Sequence, residues 1–233
     1  MFVSYKIKIT TGMLLFLLPA SILLFSCNSV YTPKRRGYFK IDFPAHQYQV
    51  FDQPGYPYTF EYPVYANILR DTSFFEAQPE NPWWINIDFP RFNARIYISY
   101  KVVGPNSFDK LREDAYKMTF KHSYKASSIE DSIMHTPNGV SGIFFNVGGN
   151  AATAKQFFVT DTTKNFLRGA LYFDTTPNED SLGIVNQFLQ QDMLHLINTF
   201  KWRRILSDDP DHKKSWPRGM EAKAVGAPQT AGH

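Results

Sequence analysis

The chain has 233 residues, of which 43% are apolar, 20% charged and 16% aromatic, a composition that can bury a core and excludes a wholly disordered polymer. Its 25 Lys and Arg stand against 21 acids, and two of the cations, Lys6 and Lys8, fall in a segment read below as a removed leader, leaving 23 against 21. A surplus that small cannot maintain a phosphate-neutralising stripe, so nucleic acid is excluded as a partner despite a sequence pI near 9.0. Cys27 is the only cysteine; neither an intramolecular disulfide nor a thiolate metal cage can form, and the fold must stand on packing.

Residues 1–12 carry Lys6 and Lys8 and no acid, and residues 13–25 follow as an apolar run containing Leu14, Leu15, Phe16, Leu17, Leu18, Ile22, Leu23, Leu24 and Phe25. A basic start before a short apolar stretch is the pattern of a secretory leader. About thirteen apolar residues are too few to cross roughly 30 Å of hydrocarbon as a helix, so cleavage is expected. Leu24-Phe25-Ser26-Cys27 resembles a bacterial lipobox, which makes Cys27 the expected acyl acceptor; the alternative is an ordinary leader beside a stray cysteine. Two or three acyl chains, at about 0.8 kcal/mol per buried methylene, give a stable anchor, so the protein is expected to sit on a membrane without spanning it. Residue 28 is Asn, not the Asp associated with inner-membrane retention, and no acidic run follows Cys27. These features favour the periplasmic face of an outer membrane. Residues 27–32 form a tether, and Lys34, Arg35, Arg36 and Lys40 after it either lie near anionic head groups, at about 1 kcal/mol per charge, or form a solvated linker.

From residue 33 to 63 prolines alternate with many aromatics, which forbids a long helix and reads as extended chain laid over a core. Residues 83–89 and 94–100 alternate apolar and polar side chains around Pro90-Arg91-Phe92-Asn93, the pattern of a strand pair. Asn106, three before Asp109, is placed to cap a helix whose Phe108, Leu111, Ala115 and Met118 recur at helical spacing to about residue 122. Residues 125–135, 139–147, 156–161 and 166–174 are further strands, with turns at Pro137-Asn138-Gly139 and Thr162-Thr163-Lys164. Asn178 or Asp180 can cap a second helix marked by Ile184, Val185, Phe188, Leu189, Leu196 and Ile197, which is expected to end in Phe200 and Trp202. Two main helices against a mostly antiparallel sheet make an α+β domain over residues 33–206. Residues 207–233 hold too little apolar surface to offset an ordering cost of roughly 1–2 kcal/mol per residue and are expected to be a disordered tail.

The six histidines form no metal-ligand spacing, so no metal or other cofactor is expected. No Gly-x-Ser-x-Gly elbow exists, and Gly148-Gly149-Asn150 lacks the lysine and following helix of a phosphate loop. Two charged residues stand out. Arg168 shares a strand face with Phe166, Ala170 and Tyr172, and Asp192 interrupts the apolar stripe of the last helix, so both are expected in the same core, as a mutual ion pair or as part of a cleft. Asp161 is either a turn acid or a third member of that cleft.

Arg36-Gly37-Tyr38-Phe39-Lys40-Ile41-Asp42-Phe43-Pro44, Phe60-Glu61-Tyr62-Pro63, Asn86-Ile87-Asp88-Phe89-Pro90, Ser99-Tyr100-Lys101 and Phe166-Leu167-Arg168-Gly169-Ala170-Leu171-Tyr172-Phe173 together resemble the gliding motility lipoproteins of the GldD family of Bacteroidetes. The resemblance runs from about residue 33 to residue 202. It implies a cell-envelope lipoprotein needed for gliding and associated with type IX secretion through other envelope lipoproteins, and it transfers no catalytic residues. The order of elements is also similar to the PsbP/Mog1-like architecture.

Two functional classes follow. The first is a non-catalytic interaction module, anchored at Cys27, whose aromatic face docks on a gliding or secretion partner. Tyr38, Tyr56, Tyr58, Trp83 and Trp84 are its candidates, because Tyr and Trp join large buried area to a polar tip, although core packing is the more common role for each taken alone. The second is an envelope hydrolase or small-ligand binder with a pocket around Arg168, Asp192 and Asp161.

Overall fold

Alternating apolar residues become strands where prolines and turn residues interrupt them at short intervals, and that pattern organises the computed structural model, which describes residues 40–71, 79–104, 106–121 and 123–203. The leader, Cys27, the tether, Tyr38 and the polar tail lie outside the described residues. The chain divides after Lys40, and all the elements below belong to the unit beginning at Ile41. They are β1 (Tyr48–Phe51), β2 (Tyr58–Pro63), β3 (Asn67–Arg70), β4 (Ile85–Phe89), β5 (Ala94–Val102), α1 (Phe108–Phe120), β6 (Ala126–His135), β7 (Ser141–Gly149), β8 (Lys155–Thr160), β9 (Asn165–Phe173), α2 (Glu179–Thr199) and β10 (Lys201–Trp202). The class is α+β.

Seven strands form one antiparallel sheet in the order β3-β4-β5-β9-β8-β7-β6, and β1, β2 and β10 form a second, smaller one. The closing pair is β5 with β9, in register from Ala94 opposite Phe173 to Val102 opposite Asn165. It joins the early strands to the later meander. Asn93, at φ 46°, makes the left-handed turn between β4 and β5, a conformation that Asn tolerates better than most residues.

Period two then decides which layer each side chain enters. On one face Ile96, Ile98, Tyr100, Phe157, Val159, Leu167 and Leu171 meet Val185, Leu189, Met193 and Leu196 of α2, together with Phe51, Tyr58 and Phe60 of the small sheet. On the other face Phe145, Phe158 and Phe166 meet Leu111 and Ala115 of α1. Each fully buried aliphatic or aromatic side chain contributes about 1.5–3 kcal/mol relative to exposure, so the first layer is the main source of stability. Gly169 serves that layer by lacking a side chain. A Cβ there would lie 2.3 Å from Cε1 and 2.4 Å from Cζ of Phe157.

Three local expectations are corrected. Ser107, not Asn106, caps α1, accepting from the backbone N–H of Lys110 at 3.2 Å; Asn106 instead donates to the carbonyl of Val102. Met118 is exposed, because the inward row runs Leu111, Ala115, Thr119 at steps of four. Thr119 is accommodated by donating its hydroxyl to the Ala115 carbonyl at 2.9 Å. In α2, whose cap is Asn178, Ile184 points to solvent.

Candidate functional site

The segment before β1 crosses α2 by stacking rings. Phe43 lies 4.5 Å from Phe188 and the imidazole of His46 lies 4.4 Å from the same ring. This places His46 over Asp192, which is 2% exposed. A buried carboxylate must be satisfied by donors, and three converge on it. His46 Nδ1 meets Asp192 Oδ1 at 2.8 Å, Tyr48 donates to the same oxygen at 3.1 Å, and Tyr65 donates to Oδ2. A carboxylate only accepts, so Nδ1 of His46 carries the proton in this pair. Burial, and then the Asp192 charge, push the Tyr48 phenol up to about 12 and Tyr65 well above its ordinary value.

One turn further along α2, His195 Nε2 meets Glu61 Oε2 of β2 at 2.7 Å. The Tyr48 ring stacks on the His195 imidazole with centroids 3.5 Å apart and planes 10° from parallel. Two imidazole–carboxylate pairs with a tyrosine between them therefore fasten the segment leading into β1, and β2 itself, to one helix. A His–Asp pair is also how enzymes orient a general base. Here three donors, from the segment entering β1 and from the β2–β3 connection, converge on Asp192, which makes the cluster a fastening point.

Arg168 and Asp192 are not paired, contrary to the sequence expectation. Arg168 lies on the α1 face of the large sheet, where its Nη2 donates to Gln156 Oε1, itself an acceptor for Thr119 of α1. Asp192 lies on α2 against the opposite face. Strand parity separates them: Arg168 shares its face with Phe166, while Leu167 and Leu171 turn toward α2. Burial holds the Arg168 guanidinium below its ordinary value. Asp161 belongs to neither, because it closes the β8–β9 turn. Its Oδ1 accepts from the backbone N–H groups of Thr163, Lys164 and Asn165 at 3.1, 2.8 and 2.8 Å. Partial burial raises its pKa, but these hydrogen bonds outweigh that and hold it below the usual aspartate value. Arg168, Asp192 and Asp161 thus lie on one sheet face, against the other face and in a turn, and do not converge.

The aromatic candidates are also redistributed. Tyr58, Trp84 and Tyr56 are buried in the core, at 0%, 7% and 9% exposure, and Trp83 packs half-buried against it, donating Nε1–H to the Gly55 carbonyl at 2.8 Å. None of the three buried rings can form a docking face. Cys27 and Tyr38 lie outside the described residues. Sequence reasoning missed His46, Tyr48, Tyr65, His195 and Glu61. Both histidines were weighed only as metal ligands, and a partner 146 positions away leaves no local signature. Among the described residues no group of three or more His, Cys, Asp or Glu converges as a metal site, and no described helix is long and apolar enough to cross a membrane.

Fold and cluster together define an α+β body whose leading strand is pinned to its last helix. The chain belongs to the family of the gliding motility lipoprotein GldD, whose model matches residues 28–202, and membership associates it with the cell envelope. A comparison with curated protein sequences finds no match. Among solved structures the chain is similar to the cyanobacterial PsbP of Synechocystis sp. PCC 6803 in solution, at 12% identity and a TM-score of 0.42, over 69% of this chain and 95% of that one.

Proposed function

We propose that this protein is a non-catalytic, lipid-anchored component of the gliding apparatus that acts by docking on other envelope lipoproteins of gliding and type IX secretion. The family match over residues 28–202 carries the reading. The lipobox at Leu24-Phe25-Ser26-Cys27 supports acylation of Cys27, and Asn28 supports residence on the periplasmic face of the outer membrane. The cluster at Asp192 adds a mechanical reason: the segment emerging from the tether is fastened to α2 by His46 and Tyr48, so a load on the anchor reaches the core through buried hydrogen bonds. The alternative, an envelope hydrolase or small-ligand binder built around Arg168, Asp192 and Asp161, has less support, because those side chains hold separate partners.

The test is crosslinking in gliding cells followed by affinity capture. Recovery of envelope lipoproteins with the wild-type chain, and their loss with Cys27→Ala, is the expected result. Equal recovery from both, or recovery of none, would contradict docking at the anchored site.

A further inference from the structure

At the head of α2 the ends of β6 and β7 border a trench in two parts, of about 540 and about 240 Å³, which share Gly149, Asn178 and Glu179 as a common wall. The larger part falls within the range of about 300–1,000 Å³ usual for ligand sites. Unlike most such sites, its lining is predominantly polar.

Three side-chain oxygens converge over Gly148: a Cβ there would lie 2.7 Å from Ser128 Oγ, 3.0 Å from Ser127 Oγ and 3.5 Å from Glu179 Oε1. Lys155, only 7% exposed, forms the adjoining wall and donates to Asn146 Oδ1. Asn186, 9% exposed, lines the same part, and its Oδ1 has no partner among the described residues. A buried amide oxygen left without a donor is costly, which points to a ligand or solvent group that completes the site. At the far end Tyr124, 78% exposed, presents its ring with the Lys125 ammonium 5.6 Å from the centroid.

Charge decides the class of ligand. Lys125 and Lys155 are offset by Glu179 and Asp180 in the same walls, so the trench favours neither an anion nor a cation. Apolar surface is too scarce for a greasy molecule. Hydroxyl, amide, carboxylate and ammonium groups alternate as acceptors and donors, and one flat aromatic face stands ready for a C–H surface. We propose that this trench binds a neutral oligosaccharide, one sugar ring stacking on Tyr124 and the hydroxyls of the next bridging Glu179, Lys155 and Gln187. A polypeptide added along β6, the edge strand of the large sheet, is the competing occupant and is an outcome of the test below. The proposal stands apart from the docking function and does not depend on it.

The test uses the full mature chain in a zwitterionic, sugar-free detergent, titrated calorimetrically with chitotetraose and with maltotetraose. Saturable binding of at least one tetrasaccharide is expected. Tyr124→Ala is expected to weaken it about tenfold, and Gln187→Ala by several-fold, with the melting temperature unchanged because both side chains are exposed. Absence of heat from both sugars, or binding indifferent to both substitutions, would overturn the assignment. So would binding of an uncharged tetrapeptide in place of either sugar.

Discussion

His46 and Asp192 meet at 2.8 Å across 146 positions of sequence, and the contact links the segment leading into β1 to α2. Replacing Asp192 by Ala strands His46, Tyr48 and Tyr65 without their acceptor. The expected cost is about 3 kcal/mol, the scale for removing one member of a buried charged network, read as a fall in the urea midpoint at unchanged slope. Tyr65→Phe removes a single donor and is expected to cost about 1.5 kcal/mol. Hydrogen exchange at residues 48–51 should accelerate in both variants, more in the first.

Arg168 is a buried cation that donates to a neutral amide, that of Gln156. Apolar side chains of similar volume often replace buried charges without loss, whereas truncation leaves a cavity. Arg168→Met is therefore expected to stay within about 1 kcal/mol of wild type and to retain gliding, while Arg168→Ala loses about 2 kcal/mol or more. Chemical denaturation of the two variants checks the pair.

Gly169 leaves room for the Phe157 ring. Gly169→Ala drives a methyl into that ring, with an expected loss of about 1–3 kcal/mol. Shortening the neighbour in Gly169→Ala/Phe157→Leu is expected to recover part of it. A double-mutant cycle by thermal unfolding gives the coupling, and simple additivity would refute the steric account.

Alkaline pH should destabilise the fold through its tyrosines. Burial raises Tyr48, Tyr56 and Tyr100 to about 12 from an ordinary value of 10.0. With the folded value above the unfolded one, the unfolded chain loses its protons first as pH rises. The contribution is then complete below pH 10 and disappears between about pH 10 and 12. Tyrosinate absorbance should lag behind that of the urea-unfolded chain over the same window. Asp161 acts in the opposite direction: its lowered value gives stability that is present above about pH 4 and lost on acidification. Asp161→Ala should cost about 2 kcal/mol at neutral pH and little in acid.

Most of the fold is legible in the sequence because its signals are local. The alternation in 83–89 and 94–100, the turn residues at 137–139 and 162–164, and the apolar row of the last helix each specify an element within a few neighbours. β3 and β10 escape, being four and two residues long, too short for a period to declare itself. The relation between Arg168 and Asp192 also escapes. Each was correctly expected to be buried, but a strand face and a helix stripe do not say which side of the sheet the helix covers. Tyr56, Tyr58 and Trp84 show the same limit from another direction, since aromatic content suits a core and a docking face alike until burial separates them.

The proposed function requires one sulfur, that of Cys27, to hold this body to the envelope. Intact mass spectrometry of the chain extracted from gliding cells tests it most directly. The account predicts a polypeptide beginning at Cys27 and heavier than its sequence by the mass of its acyl chains, recovered with membranes. A Cys27 free of lipid in the mature chain, recovered in the aqueous fraction, would contradict it.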